Sequence, residues 1–242
     1  MKPISSNKYS IKSDRKQNKI VGIGDDWTKE PAQGQMFAPF GPTIYTGIIH
    51  PNHIDELNDI IANNIEDTSL DVGGKLAGRV EKQITIQDFI SEDLSNHIKQ
   101  HITNYTSQQD MPVEDFHITM DGLWVNLAQA RDFNPRHQHN GEFSFVIYTK
   151  NTVDPNDVLN NKWDNDHDDG HNKIAGNIEL HYGEAQFMNS TRFMHQPTVG
   201  DILVFPAWLQ HSVYPFYCDG ERWSVAGNYR WTTWDELNPP QE

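Results

Sequence analysis

Residues 131–148 read RDFNPRHQHNGEFSFVIY, and their last six, Phe143 to Tyr148, are rich in aromatic and β-branched side chains. A run this short and this apolar predicts a buried strand rather than a helix. His137 and His139 stand two apart at its mouth, and side chains two apart on extended backbone leave the same face. Two imidazoles can therefore converge on one cation. The pair alone is weak, because 12 histidines in 242 residues place some pairs by chance. Its meaning depends on whether the chain also supplies a scaffold of strands and a third ligand.

The scaffold is visible on both sides. Leu123, Val125 and Leu127 alternate with Trp124, Asn126 and Ala128, a period of two that predicts a strand with one apolar face. Further strands are expected at Ile44 to Ile49, around Ile178 to His181, at Ile202 to Phe205, and, after a proline break, near His211. A turn at Asp219 and Gly220 leads into a last strand, RWSVAGNYRW. Two helices precede this run. One is expected at about 52–63, with Asn52 as N-cap and Ile54, Leu57, Ile60 and Ile61 on its stripe. The other is expected at about 89–107, where Ile90, Leu94, Ile98, Ile102 and Tyr105 share a face. Helices followed by many short strands predict an α+β, mainly β domain built on an antiparallel sandwich or jelly roll, with core strands over about 118–231. Residues 1–35 carry scattered Lys and Arg among Ser, Asn and Gln and read as a flexible arm, leaving 36–242 as a single domain. The polar loops 64–83 and 150–173 are expected to cover part of that domain.

Composition excludes some functions. With 34 acidic against 19 basic residues the formal charge is -15, which opposes a broad grip on nucleic acid or on an anionic membrane. No apolar run approaches the ~20 residues of a membrane span, and the first residues lack a signal-peptide core; a cytoplasmic location is expected. A lone cysteine, Cys218, excludes an intrachain disulfide and has no CxxC partner. Asp164 to His171, DNDHDDGH, is rich in cation ligands but lacks EF-hand spacing, and reads as a solvated loop.

The chemistry-bearing residues come in order. His211 follows DILVFP and AWLQ, where a strand end would present a ligand, and Arg222 and Ser224 stand two apart on the next strand. Two or three imidazoles on a rigid β scaffold suit Fe(II) and leave coordination positions open for a bidentate molecule and O₂. A guanidinium fork with a hydroxyl beside it suits a terminal carboxylate, such as the far end of 2-oxoglutarate.

The stretches FNPRHQHNGEFSFVIY, VGDILVFPAWLQHSVYP and GERWSVAGNYRW resemble, in that order, the 2-oxoglutarate- and Fe(II)-dependent oxygenases common in bacteriophage genomes. The likeness spans roughly residues 37–231. It implies a double-stranded β-helix (jelly roll) core with flanking helices, and Fe(II), 2-oxoglutarate and O₂ as cofactor and co-substrates. It implies His137, His139 and His211 as iron ligands, Arg222 and Ser224 as the co-substrate clamp, and Tyr148 as a further donor to 2-oxoglutarate. The implied reaction is oxidative decarboxylation to succinate coupled to hydroxylation of a small-molecule or protein substrate.

One departure stands out: most of that superfamily has HxD or HxE where this chain has His137, Gln138, His139. A neutral imidazole in place of a carboxylate leaves the iron unit about one charge more positive. Glu142 is the alternative acidic ligand, although its odd spacing from both histidines requires a bulge. Two other readings account for the histidines. A cupin-like three-histidine dioxygenase without 2-oxoglutarate leaves Arg222 and Ser224 without a purpose, and a non-catalytic jelly-roll binding or virion module makes the histidines structural. His181 and His195 read as polar-face residues, Trp124 and Asn126 as packing residues that could face a pocket, and Asn228 as a hydrogen-bonding residue of the last strand.

Overall fold

Two antiparallel sheets face one another, and the helices pack on the outside of the larger one. The computed structural model of the protein describes residues 34–37, 41–75, 78–80, 82–107, 109, 116–154, 156–157, 174–187 and 189–233. The chain divides into Met1–Glu30 and Pro31–Glu242, and every described residue lies in the second unit. The arm expected at 1–35 lies outside the described residues up to position 33, as does the Asp164–His171 loop.

The strands are β1 (Gly34–Phe37), β2 (Ile44–Ile48), β3 (Lys82–Thr85), β4 (Phe116–Gln129), β5 (Asn134–His137), β6 (Phe143–Asn151), β7 (Ile178–His181), β8 (Arg192–His195), β9 (Asp201–Pro206), β10 (Gln210–Val213) and β11 (Glu221–Thr233). The seven-stranded sheet runs β1-β2-β9-β6-β11-β4-β3 and the four-stranded sheet runs β5-β10-β7-β8. This is the double-stranded β-helix, or jelly roll, with two flanking helices. Among the described residues no helix is long and apolar enough to cross a membrane.

Alternation along the large sheet divides its two faces. Leu123, Val125 and Leu127 of β4, Phe145 and Ile147 of β6, Ile202 and Val204 of β9 and Val225 of β11 pack outward against the helices. Val146, Tyr148, Leu203 and Phe205 point inward and meet Ile178 and Leu180 of the small sheet. Burying whole side chains of this size contributes about 1.5–3 kcal/mol each. The outer layer therefore holds the helices on, and the inner layer holds the sheets together.

The first helix, α1 (Pro51–Asn64), begins with proline at its first position, and the His50 ring caps it by accepting the Asn52 N–H at 3.2 Å. The expected Asn52 cap is thus displaced by two residues. Its buried face is His53, Ile54, Leu57 and Ile61. The second helix, α2 (Glu92–Ser107), starts where Ser91 Oγ accepts the Leu94 N–H at 3.1 Å. Leu94, Ile98, Ile102 and Tyr105 are buried as the periodicity requires, while Gln87–Phe89 form a separate 3₁₀ turn. β3 begins at Lys82, inside the stretch 64–83 expected to be a loop, and runs two residues past its end.

One placement differs from the sequence expectation in a way that matters for the site. The histidine pair does not lie at the mouth of the β6 strand. His137 ends β5, a strand of the small sheet, whereas β6 is central in the large sheet. Residues 138–142 cross between the sheets, held by His139 N–H to Ala207 O (2.9 Å) and Glu142 N–H to Tyr229 O (3.1 Å). The crossing needs Asn140 and Gly141, and Gly141 takes φ +96° beside the Tyr229 carbonyl, a conformation open chiefly to glycine.

Candidate active site

Within the small sheet His137 pairs directly with His211 across β5 and β10. His139 follows just beyond the strand, so all three rings point into the same end of the roll. Their centroids are 4.2 Å (His137–His211), 5.0 Å (His139–His211) and 5.1 Å (His137–His139) apart. One nitrogen from each ring lies within 4.8 Å of the others.

The rings are also oriented. His137 Nδ1 is 2.7 Å from Pro135 O, and His211 Nδ1 is 3.1 Å from Leu209 O. Donating Nδ1–H to a backbone carbonyl leaves Nε2 as the lone-pair nitrogen, the arrangement that prepares an imidazole for a metal. Burial disfavours their protonation first, and neighbouring imidazoles add to it for His139 and His211. His139 is lowered to about 4, His137 is lowered, and His211 lies well below the ordinary value. Neutral imidazoles at neutral pH are the ligand form.

Among the described residues no carboxylate joins this group. Glu142, the alternative acidic ligand, instead accepts the Trp231 N–H at 2.8 Å. His181 and His195 are elsewhere as well: His181 Nε2 meets Ser212 Oγ at 3.0 Å, and His195 Nε2 meets Asp201 Oδ2 at 2.9 Å.

A cavity of about 580 Å³ opens beside the three histidines, lined by residues of both sheets. That volume falls within the range of small-molecule sites. Trp124 and Asn126 are pocket residues, and Trp124 lies 5.4 Å from the His139 ring, so packing alone does not describe them. Gln83 joins them from β3. With its amide oriented to satisfy its neighbours it donates to Val72 O at 3.1 Å and accepts from the Trp124 indole at 3.2 Å. Asn228 also lines the pocket and accepts from Ser144 Oγ at 2.7 Å.

Deeper in the roll, Ser224 of β11 pairs with Asn126 on one side and Tyr148 on the other. Arg222 lies one inward-facing position further along β11. None of these three is among the residues that line the cavity, although Val146 and Ala226, two positions away on the same strands, are: Arg222 is 5% exposed, Ser224 7% and Tyr148 3%. The Arg222 guanidinium donates to Gly176 O. Among the described residues no carboxylate stands within ion-pair distance of it. Burial lowers the Arg222 pKa while Tyr148 and Asp132 act against that change, and burial raises the Tyr148 hydroxyl, which stays protonated.

A buried cation without a carboxylate carries a large desolvation cost. An incoming dicarboxylate would remove it, so these residues fit 2-oxoglutarate as the three neutral imidazoles fit Fe(II).

The family model described as "Putative 2OG-Fe(II) oxygenase" matches residues 122–228, a segment that contains every residue just named except Gln83, Trp231 and Val72. The match covers 107 of the 242 residues. Enzymes of that family use Fe(II), 2-oxoglutarate and O₂. No curated protein sequence matches the chain. Among solved structures, a prolyl-4-hydroxylase from Pseudomonas putida is similar, with 17% identity, a TM-score of 0.51, and coverage of 85% of this chain and 95% of that one. A Trichoplax adhaerens prolyl hydroxylase, solved with a hypoxia inducible factor oxygen degradation domain peptide fragment, has 14% identity and a TM-score of 0.51, covering 86% and 87%. Both likenesses concern the fold.

The pocket has lining residues that the sequence motifs left unmarked. Gln83 and Thr85 of β3 line the pocket, as do Asn134, Gln138 and Asn140 around the histidine pair and Asp121 and Arg230 at its rim. Arg230 Nε and Asp121 Oδ2 are 2.5 Å apart. Continuing the alternation Arg222, Ser224, Ala226, Asn228 by one step reaches Arg230, so that residue was within reach of sequence reasoning. Gln83 was not, because its four-residue strand is embedded in a glycine-bearing polar stretch.

Proposed function

We propose that the oxygenase oxidatively decarboxylates 2-oxoglutarate to succinate and CO₂ and couples this to hydroxylation of a second substrate in the 580 Å³ cavity. His137, His139 and His211 would hold the iron, and Arg222, Ser224 and Tyr148 the distal carboxylate of 2-oxoglutarate. The observation that carries this reading is the buried, carboxylate-free guanidinium of Arg222 on the strand that lines the histidine cavity.

When bound, Fe(II) with 2-oxoglutarate supplies the activation of O₂. The chain supplies position. The Pro135 and Leu209 carbonyls fix the rings of His137 and His211 by their Nδ1 protons, which spares the reorganisation that floppy ligands would need. Arg222 offers a planar fork, and in its dry surroundings a charge-assisted pair with a carboxylate is stronger than in water. Ser224 and Tyr148 are paired neighbours, and their hydroxyls can each donate one hydrogen bond to the same anion. Burial of Arg222, Ser224 and Tyr148 limits the water that competes for the guanidinium.

The second substrate would enter past Trp124 and the amide side chains of Gln83, Asn126, Asn134 and Asn228. The experiment is a coupled one. Protein loaded with Fe(II) under ascorbate is expected to turn 2-oxoglutarate into succinate, and Arg222→Ala is expected to raise the 2-oxoglutarate concentration needed by at least about tenfold, since a lost buried charge-assisted contact costs about 1.5–3 kcal/mol. Iron-loaded protein that neither binds nor consumes 2-oxoglutarate would sink the proposal.

A further inference from the structure

The cavity beside the three histidines has a chemistry of its own. Its polar wall is built of carboxamides that converge from four strands: Gln83 on β3, Asn126 on β4, Asn134 on β5 and Asn228 on β11. Trp124 shares that wall and stands 5.4 Å from the His139 ring. The two charged residues at the rim answer one another, with Arg230 Nε 2.5 Å from Asp121 Oδ2. A charged occupant would thus leave water without gaining a counter-ion from the wall, a net cost. A purely apolar occupant would strip water from the amides and return no hydrogen bond. The wall therefore suits a neutral molecule rich in hydrogen-bonding groups.

Several of these side chains are fixed in place with groups to spare. Asn228 is only 9% exposed, and its Oδ1 accepts from Ser144 Oγ at 2.7 Å. That bond orients the amide and leaves Nδ2 for an occupant. Gln83 takes the Trp124 indole N–H at 3.2 Å and meets Asn126 amide to amide at 2.7 Å. With its N–H spent, the indole offers the cavity only carbon. Asn134 Oδ1 is buried without a hydrogen bond, and its Nδ2 stands 3.3 Å from His137 Nε2. That nitrogen is the one a metal would take, so with the metal in place both ends of the Asn134 amide need another partner.

We propose that the cavity is a carbohydrate site, in which a neutral sugar ring packs on Trp124 and the four carboxamides hold its hydroxyls. A hydroxyl both donates and accepts, as a carboxamide does, and a pyranose carries several around a ring whose axial C–H bonds form an apolar face. That face is the complement of an indole whose polar handle is already engaged. It is also the face with C–H bonds to oxidise, and Trp124 sets it beside a histidine of the metal cluster. One atom of O₂ would enter a ring C–H bond to make a hydroxyl while the other enters succinate, with CO₂ leaving 2-oxoglutarate; this reaction rests on the oxygenase reading above, whereas the binding does not. A peptide backbone also donates and accepts, but it spreads those groups along a strand at ~3.3 Å per residue, and these amides surround a single cavity.

Saturation-transfer NMR on the full chain, with and without Zn²⁺ as an inert metal and 2-oxoglutarate, tests the binding. The probes are the methyl glycosides of glucose, galactose and mannose and N-acetylglucosamine, with adenosine and a blocked dipeptide as comparators. At least one sugar is expected to receive saturation, most strongly at its ring C–H protons, and the comparators none at the same concentration. Asn228→Ala is expected to weaken that sugar at least about threefold, the loss of one hydrogen bond, and Trp124→Leu at least about tenfold; near-ultraviolet circular dichroism and a cooperative thermal transition check that each variant is folded. Calorimetry with 2-oxoglutarate on the same samples keeps the two readings apart. Sugar binding that survives Arg222→Ala supports the carbohydrate site whether or not 2-oxoglutarate binds. Intact 2-oxoglutarate binding with no sugar bound, preference for adenosine or the dipeptide, or sugar binding indifferent to both pocket substitutions overturns it.

Discussion

At the scale of single residues, His139 is the position where this chain departs from the HxD or HxE pattern of the 2OG-Fe(II) oxygenases it resembles. Its ring completes the cluster with His137 and His211, while the nearby carboxylate of Glu142 is turned to the Trp231 backbone. An imidazole and a carboxylate each offer one donor atom to a metal, so His139→Asp is expected to retain stoichiometric Fe(II) in equilibrium dialysis. His139→Ala, which removes a ligand, is expected to lose tenfold or more in iron affinity. Equal iron binding by wild type and His139→Ala would show that two histidines suffice. The spacing of His137 and His139 was legible in the sequence. Their residence in the small sheet was not, because a four-residue strand containing Pro135 carries too short a pattern to assign to a sheet.

At the scale of elements, β5 positions one of the three clustered histidines, His137, and is itself seated by a close approach. Gly78 lies against it, and a Cβ there would stand 2.4 Å from Phe133 O and 2.8 Å from Asn134 Cα. The contact is with backbone, which cannot swing away. Gly78→Ala is therefore expected to destabilise the protein by about 1–3 kcal/mol, the usual cost of overpacking, and to weaken iron binding, because β5 must shift. Thermal denaturation and Fe(II) titration of the same variant test both, and an unchanged Tm with unchanged iron affinity would contradict the account. Among the elements, α1, α2, β6, β7, β9 and β11 were readable from periodicity within a few residues. β3 and β5 were not, since each has four residues and owes its existence to neighbours distant in sequence: β3 pairs with β4 and β5 with β10.

At the scale of the molecule, the histidines buried between the helices and the sheet link the fold to pH. Burial lowers His101 to about 3 and His97 to about 4, each helped by an adjacent imidazole. In the unfolded chain both rings titrate near 6.5. A base whose pKa is lowered by folding contributes stability above its unfolded pKa, and that contribution is lost as pH falls from about 6.5 toward the folded value. Metal-free protein is thus expected to lose roughly 2 kcal/mol through His101 alone between pH 6.5 and 5, read as a fall of several degrees in Tm. His101→Phe is expected to flatten that slope, and a slope unchanged by it would place the pH dependence elsewhere.

What the sequence determined by itself was local and periodic: two amphipathic helices, strands of alternating polarity, and an order of motifs from His137 through Arg222 that pointed to an oxygenase. These follow from side-chain spacing along one stretch of chain, which is information a sequence carries directly. The tertiary structure decided which sheet holds which histidine, that Glu142 accepts from the Trp231 amide, that Arg222 is buried with no carboxylate within ion-pair distance among the described residues, and that Gln83 reaches the pocket. It also decided that histidines 44 positions apart, at 53 and 97, meet with their ring centroids 4.8 Å apart. Each of those facts is a meeting of residues remote in sequence, and such meetings are set by the pairing of strands and the packing of layers.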